Sequence, residues 1–536
     1  MKKVLDKIYK QLYDETDYNH NYSDIYKIHK YWSRKPWYLV EKYIEKHTKE
    51  NDLILDPFMG SGCTGIEAAI NNRDFVGYDL NPISIKISKG TFEIVPDISK
   101  LKEDFQLIKN LCYEEIMSEY KTSFECPTCN SKLYIKHHCI GPKTNNKNLA
   151  YLYCPSCSSK KTILKEEIEI LSNDSDYEKK LKKLWVPNKK FPNKFYKDRF
   201  SYKGVSTVAD MYTKKNLFCL CKLYDTIKKS KLNYPDLIDL VFTNTVLHAS
   251  KLKGENVRPL SVNNYWIPDD YIEENVWFRF EDRFNNMLKS KKAFNAKIKE
   301  KNLNKLGKCD FRLESCLKMN YSNKFDYIFT DPPYGEAIQY SELSFIYNAW
   351  LGEEYDIKDE VIINPCQNKN ENKFLSLIDI SLEKIYKALK KEKYFTLCFQ
   401  NKDFIIWKNI IEKCKELGFK LEDISIYDTY GNPYNKYWSK FSPKSDIYVT
   451  FKKTDKPLKS RFFKENINLE QLIYEVADYT LDVKDNNKIY DLTVAYIIWS
   501  LFYNEGTMNI TDFNLKQFIK YIESHQLRRE QLTLDI

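Results

Sequence analysis

Short apolar runs that end in an acidic residue recur along this chain, and they set the reading of its fold. Asp52-Leu53-Ile54-Leu55-Asp56 leads into Pro57-Phe58-Met59-Gly60-Ser61-Gly62, then a helical pattern over 64–71, then a second run, Phe75-Val76-Gly77-Tyr78-Asp79. Far downstream, Phe325-Asp326-Tyr327-Ile328-Phe329-Thr330 runs into Asp331-Pro332-Pro333-Tyr334. Further units follow: a helix over 377–389, a strand over 394–399, a helix over 407–417 and a late strand over 446–451. Alternation of strand, turn and helix predicts a parallel sheet with helices on both faces. Ligands of such sheets bind at the carboxyl ends of the strands, where Asp56, Asp79 and Asp331 all fall.

The stretch between the two sheet segments, about 100–310, has a different character, with paired cysteines, Lys-rich runs and an amphipathic patch over 214–227. Beyond about 455 the chain turns polar and then helical, which predicts a small appendage. At 536 residues there is room for two or three domains with cores of their own. The division expected is a first core part over 1–100, an inserted region over 101–305, a second core part over 306–455 and the appendage over 456–536.

Composition adds less. A hydrophobic share of 43% and an aromatic share of 15% argue against disorder. The 85 Lys and Arg against 75 Asp and Glu, net +10, suit a polyanionic partner but also follow from a Lys- and Asn-rich composition. Runs such as Lys179-Lys180-Leu181-Lys182-Lys183 can track a nucleic-acid backbone, yet such runs more often form a solvated helix face. Met1-Lys2-Lys3 has no signal-peptide core behind it, and Leu492–Tyr503 is too short to span a bilayer, so a cytoplasmic protein without a membrane partner is expected.

Glycines directly after a strand let a nucleotide-like ligand approach the backbone, and an acid ending the next strand, Asp79, is placed for ribose hydroxyls. Such turns occur in many unrelated α/β proteins. No Gly-Lys-Ser/Thr follows, and Asp56 would repel phosphate. An acid there suits a cationic cofactor with an amino acid moiety, a description S-adenosylmethionine fits. Asp331-Pro332-Pro333-Tyr334 can be an ordinary Pro-Pro turn with a packed tyrosine. It can also hold an exocyclic base amine: the Asp331 carboxylate and Pro332 carbonyl accept its two N–H bonds and localise its lone pair, and Tyr334 offers a stacking face. A base in such a pocket must have left its duplex.

Taken together, Asp56–Gly62 and Asp331–Tyr334 resemble the motifs of the amino-methyltransferase family of DNA methylases. His29-Lys30-Tyr31-Trp32-Ser33-Arg34-Lys35-Pro36 resembles the segment that precedes the cofactor motif in many members, and Val208–Leu217 and Gln339–Ser344 are similar to stretches of larger members with a zinc-ribbon insert. The resemblance touches most of the chain to about 450 and implies a Rossmann-like, doubly wound, seven-stranded α/β sheet. It implies catalysis by Asp331, Pro332, Pro333 and Tyr334, with Asp56, Phe58, Gly60, Ser61 and Gly62 holding the methionine part of S-adenosylmethionine. Asp79 would hold its ribose, and His29 and Lys35 would help close the pocket. The motif order, cofactor then insert then catalytic, implies that the insert reads the target in double-stranded DNA. Within the family an initial Asp is commoner in adenine-N6 enzymes, and a separately encoded restriction endonuclease is a partner the resemblance implies. The alternatives are a cytosine-N4 methylase, an RNA or protein amide methyltransferase, and a non-catalytic DNA-binding protein with a decayed core. Cys63 stands where Thr or Ser is frequent, and Gly335-Glu336 follows Tyr334 where an aromatic is common.

Cys126-x-x-Cys129 and Cys154-x-x-Cys157, with 24 residues between the pairs, can give four thiolates to one structural Zn2+ in a ribbon over about 120–165. The alternative is a set of reduced, buried cysteines.

Overall fold

The computed structural model describes residues 23–141, 149–157, 164–167, 174–192, 195–196, 204–254, 259–260, 265–301, 306–401, 403–428, 445–454 and 489–503, and the single positions 6, 476 and 479. Twelve strands are described: β1 (Leu53–Asp56), β2 (Asp74–Asp79), β3 (Lys121–Glu125), β4 (Lys132–Ile140), β5 (Leu149–Tyr153), β6 (Leu164–Glu167), β7 (Tyr271–Glu274), β8 (Cys309–Leu313), β9 (Phe325–Thr330), β10 (Leu389–Phe399), β11 (Phe419–Asp428) and β12 (Ser445–Lys453).

Seven of them form one sheet in the order β11-β12-β10-β9-β1-β2-β8. All run parallel except β12, which is antiparallel to both its neighbours. The apolar runs seen in the sequence become the central strands because a strand covered by helices on both faces favours a near-continuous apolar run; β9 is buried throughout. Chain order reverses between β1 and β9, so the carboxyl ends of β1, β2 and β9 share one crevice.

The helices Cys63–Ile70 and Pro82–Phe92 follow β1 and β2, and the first is buried along its whole length. The helices Ile98–Ser118, Lys214–Lys229, Pro235–His248 and Val276–Glu300 come from the inserted stretch. Their apolar faces merge with Ile28, Trp32, Ile83, Ile87 and Trp350 into one continuous core. The inserted stretch therefore shares a core with the sheet domain.

The small second sheet is antiparallel and centred on β4, which pairs with β3, β5 and β7, while β6 pairs with β5. Glu274 ends β7, and the long helix Val276–Glu300 begins two residues later, capped by Asn275, so this sheet is joined directly to the main core.

Of the stretch 456–536, the helix Ile489–Tyr503 and positions 476 and 479 are described. The helix is packed against the helix Phe404–Leu417 and β11, with Val494, Ala495 and Ile498 fully buried. The rest of the expected appendage lies outside the described residues. No helix among the described residues is long and apolar enough to cross a membrane.

Candidate active site

The turn after β1 is built from its two glycines. Gly60 and Gly62 have φ of +53° and +78°, left-handed values that favour glycine. The Gly62 amide closes the turn onto the Met59 carbonyl at 2.9 Å, and the Met59 amide reaches across to the Tyr78 carbonyl of β2 at 3.0 Å. A Cβ on Gly62 would lie 2.5 Å from the Ser88 hydroxyl, on the helix that follows β2. Gly62→Ala is therefore expected to strain the turn by about 1–3 kcal/mol and to weaken cofactor binding more than tenfold. Isothermal titration checks this, and wild-type affinity would show that the turn tolerates a side chain.

Three carboxylates face one cavity of about 870 Å3, counted to its open mouth. Asp56 accepts hydrogen bonds from the Phe58 amide (3.1 Å) and from the Thr64 (2.7 Å) and Thr330 (2.8 Å) hydroxyls. Thr330 precedes Asp331, so this bond ties the end of β1 to the end of β9. Asp79 accepts from the Gly60 (3.0 Å) and Asn81 (2.8 Å) amides. Burial pushes Asp56 up to about 6, and Asp79 and Asp331 up to about 7, because each charge is held away from water. Glu314, Asp359 and Glu360 also line the cavity, against only two cations, Arg34 and Lys35. Arg34 is committed to the Ser61 hydroxyl (2.9 Å) and the Tyr26 carbonyl (2.6 Å). Such a cavity suits a cation.

Asp331 and Pro333 line this cavity; Pro332 and Tyr334 are not among its walls. The Tyr334 hydroxyl donates to Asp331 at 2.6 Å, and its ring meets Phe399 edge to face with centroids 5.2 Å apart. Lys35 enters from the segment ahead of β1. Its ammonium donates to the Tyr334 hydroxyl (2.6 Å) and to Asp446 (3.0 Å), and lies 3.5 Å from Asp331. Burial works against that charge, but Asp331 and Asp446 outweigh it and hold the Lys35 pKa well above its ordinary value.

The structure brings Lys35, Asp56, Phe58, Gly60, Ser61, Asp79 and Asp331 around the cavity, with Gly62 shaping its turn. His29 lies elsewhere. Its Nδ1 donates to the Lys30 carbonyl at 2.8 Å, its Nε2 faces the Thr243 hydroxyl at 3.2 Å, and its ring packs edge-on to Tyr347. Burial drops it to about 3, so it is neutral. Arg34, Thr64, Thr330, Tyr31, Tyr340 and Asp446 were not singled out by the sequence. Tyr31 and Tyr340 stack 6.2 Å apart at the cavity, and the Tyr340 hydroxyl is 2.6 Å from that of Ser33. Both tyrosines sit inside segments whose resemblance is noted above, which is the signal that could have found them.

The profile of the family described as DNA methylase matches residues 2–90. Over 60 residues, 11% of the chain, it is 48% identical to Type II methyltransferase M2.LlaDCHI of Lactococcus lactis subsp. cremoris, and over 64 residues, 12% of the chain, 45% identical to M2.DpnII of Streptococcus pneumoniae. These matches span 22% and 24% of those relatives. Type II methyltransferase M.MjaII of Methanocaldococcus jannaschii is 25% identical over 437 residues, covering 73% of this chain and 74% of that one. These similarities support the amino-methyltransferase family of DNA methylases.

The chain carries a second constellation, in the small sheet. Cys126 and Cys129 flank the turn between β3 and β4, where Asn130 takes φ +54°; Cys154 and Cys157 follow β5. The four sulfurs lie within 4.8 Å of one another, with Cys126–Cys157 at 3.4 Å and Cys129–Cys154 at 3.5 Å. A tetrahedral ion bound at about 2.3 Å sets its sulfurs about 3.8 Å apart, so the donor set fits one zinc ion. His137 and His138 are not part of this group, and His137 stacks on Tyr151.

Proposed function

We propose that this chain transfers a methyl group from S-adenosylmethionine to the exocyclic amine of a base in double-stranded DNA, with adenine N6 as the target. The observation that carries the reading is the meeting, at one crevice, of an acid-lined cavity and the Asp331-Pro332-Pro333-Tyr334 turn, tied together by the Thr330–Asp56 hydrogen bond. In this reading Asp56 and the turn through Gly60 and Gly62 hold the sulfonium and ammonium side of the cofactor, and Asp79 its ribose. The donor set fits: six carboxylates line the cavity against two committed cations, and Asp56 and Glu360 among them are buried, so a cationic ligand would offset like charge there. When bound, S-adenosylmethionine supplies an electrophilic methyl group.

The chain's own part is to hold and deprotonate the amine. The Asp331 carboxylate and the Pro332 carbonyl accept its N–H bonds, which brings its lone pair out of conjugation. Asp331 also takes the proton the amine must lose, and a carboxyl near 7 is matched to that exchange at neutral pH. Tyr334 must release Asp331 as the base arrives. Adenine is favoured because the motif starts with Asp, and the insert would contact the duplex.

The acceptor is the carboxylate, so activity needs Asp331 deprotonated. The kcat/KM for S-adenosylmethionine is expected to fall about tenfold per pH unit below about 7 and to level off above it. A profile flat from 5.5 to 8.5 would remove Asp331 from this role. The reading as a whole is tested by incubating the chain with labelled S-adenosylmethionine and unmethylated duplex DNA, then identifying the modified nucleosides by mass spectrometry. N6-methyladenine supports it, N4-methylcytosine moves the base, and label in RNA or protein but not DNA overturns it. Failure to bind the cofactor at all would indicate a non-catalytic DNA-binding protein.

A further inference from the structure

Lys35 and Asp446 are separated by 411 positions in sequence and meet at 3.0 Å beside Asp331. Asp446 sits at the start of β12, the antiparallel strand, where Ser445 is held by the Gln400 side chain through a 2.6 Å bond to its carbonyl. Lys35 and Asp446 are largely buried, with 8% and 13% side-chain exposure, so their pairing is little screened by solvent. An ammonium offers three donors. One goes to the Tyr334 hydroxyl and one to Asp446, and Asp331 is left at 3.5 Å, beyond good hydrogen-bond range.

We infer that Asp446 is a positioning residue: it draws the Lys35 ammonium to its own side, which keeps Lys35 from hydrogen-bonding Asp331 directly and leaves that carboxylate open to the incoming amine once Tyr334 gives way. The inference rests on the function proposed above for Asp331. Without the Asp446 charge, Lys35 has Asp331 as its remaining carboxylate. The short step from a 3.5 Å ion pair to a direct charge-assisted hydrogen bond would occupy the acceptor and hold it ionised but unavailable. Tyr334, which now bridges Lys35 and Asp331, would be squeezed out of the bridge or left to compete for the same oxygen.

The ionisable groups facing this pair come from every element around it. They are Asp56 at the end of β1, Asp331 and Tyr334 after β9, Cys398 on β10, Tyr448 and Asp446 on β12, and Tyr340 across the cavity. Cys398 lies 3.7 Å from the Tyr334 hydroxyl, and burial keeps it a neutral thiol. Asp446 is thus the carboxylate other than Asp331 that touches Lys35.

The test is Asp446→Asn, which keeps the shape and removes the charge, with Asp446→Glu as the conservative partner. For Asp446→Asn, kcat is expected to fall about 10–100-fold with KM for DNA changed less than about threefold. The acid limb of the kcat/KM profile should move down by about one pH unit, because Asp331 then faces a cation with one anion fewer. Asp446→Glu should regain most of the rate and return the limb toward neutral pH. A second readout needs no turnover. The affinity for S-adenosylmethionine, titrated calorimetrically at pH 5.5–8.5, should differ in its pH dependence between wild type and Asp446→Asn, with the variant binding relatively better at the acid end. A slower Asp446→Asn with an unmoved acid limb and an unchanged binding profile overturns the inference, since a merely structural contact gives that result. If wild type methylates no DNA yet the binding profiles differ as described, the proposed function falls and the placement of Lys35 by Asp446 stands.

Discussion

Asp331→Ala is expected to slow methyl transfer by about a hundred- to a thousandfold, the loss typical of removing one preorganised hydrogen-bonding group from a developing charge. At acid pH, where Asp331 is already neutral in the wild type, cofactor affinity should change little, because the turn through Gly60 and Gly62 and the carboxylates of Asp56 and Asp79 are untouched. Nor should the protein unfold. A carboxyl raised to about 7 by burial is one the folded state holds unfavourably once ionised, so removing it relieves the site at neutral pH and above. Lys35 keeps Asp446 as its partner at 3.0 Å. Asp331→Asn retains one acceptor oxygen and should fall between wild type and alanine. Single-turnover rates with calorimetric binding separate these effects. A rate within about fivefold of wild type in Asp331→Ala would take the proton and the lone-pair argument away from this residue.

The second large effect concerns the four cysteines. Stripping the metal with a chelator, or Cys126→Ser, is expected to abolish the stoichiometric zinc, one per chain by atomic emission, and to open the small sheet to protease between 121 and 167. Zinc held by four thiolates contributes folding free energy directly, about 10–16 kcal/mol in small peptides that fold only around the ion. Here the loss is local at first, but β4 pairs with β7, and β7 runs straight into the helix Val276–Glu300, whose Trp277 and Phe280 are fully buried in the main core. Metal loss should therefore lower the melting temperature of the whole chain and impair DNA binding ahead of cofactor binding. Full folding and activity with no bound metal would leave the four thiols as ordinary reduced cysteines.

Much of the main sheet was legible in the sequence because parallel central strands favour near-continuous apolar runs. β1, β2 and β9 stand out for that reason, each ending in or just before an acid that marks the crevice. The flanking strands carry no such mark. β8 offers only Cys309-Asp310-Phe311-Arg312-Leu313, and β11 mixes Lys, Glu and Asp among its apolar residues, since it lies at the sheet edge. The expected helix over 377–389 starts earlier, at Glu371, and β10 begins at Leu389 directly behind it, with a register irregularity before Tyr394. The inserted stretch differs in composition from its flanks, yet Ile83 and Ile87 share a core with Leu237 and Leu240, and no local pattern announces that.

The site shows the same division. Motif residues that act through the backbone turn could be read in order along the chain. Asp446 could not, because an acid at the head of a strand is unremarkable until Lys35 is seen beside it. His29 was drawn in by its neighbours in a motif-like segment, but a short helical turn over Asp24–Ile28 leaves it pointing at Thr243 on the inserted helices. Thr64, next to the unexpected Cys63, supplies the hydroxyl that Asp56 needs.

The bond between Asp56 and Thr330 joins residues 274 positions apart, and that distance has a cost in time. At about 5–20 residues per second, roughly 14–55 s separate the synthesis of β1 from that of β9. During that interval the most apolar strand of the sheet has one open edge and no partner to fill it. The inserted helices, made during that interval, are the ones that pack around Ile83 and Ile87 beside the half-sheet. High separation between central partners also makes the closing step slow by its topology. Nascent chains are thus most exposed to misassembly before β9 emerges, when the pairing edge of β1 is apolar, unpaired and waiting.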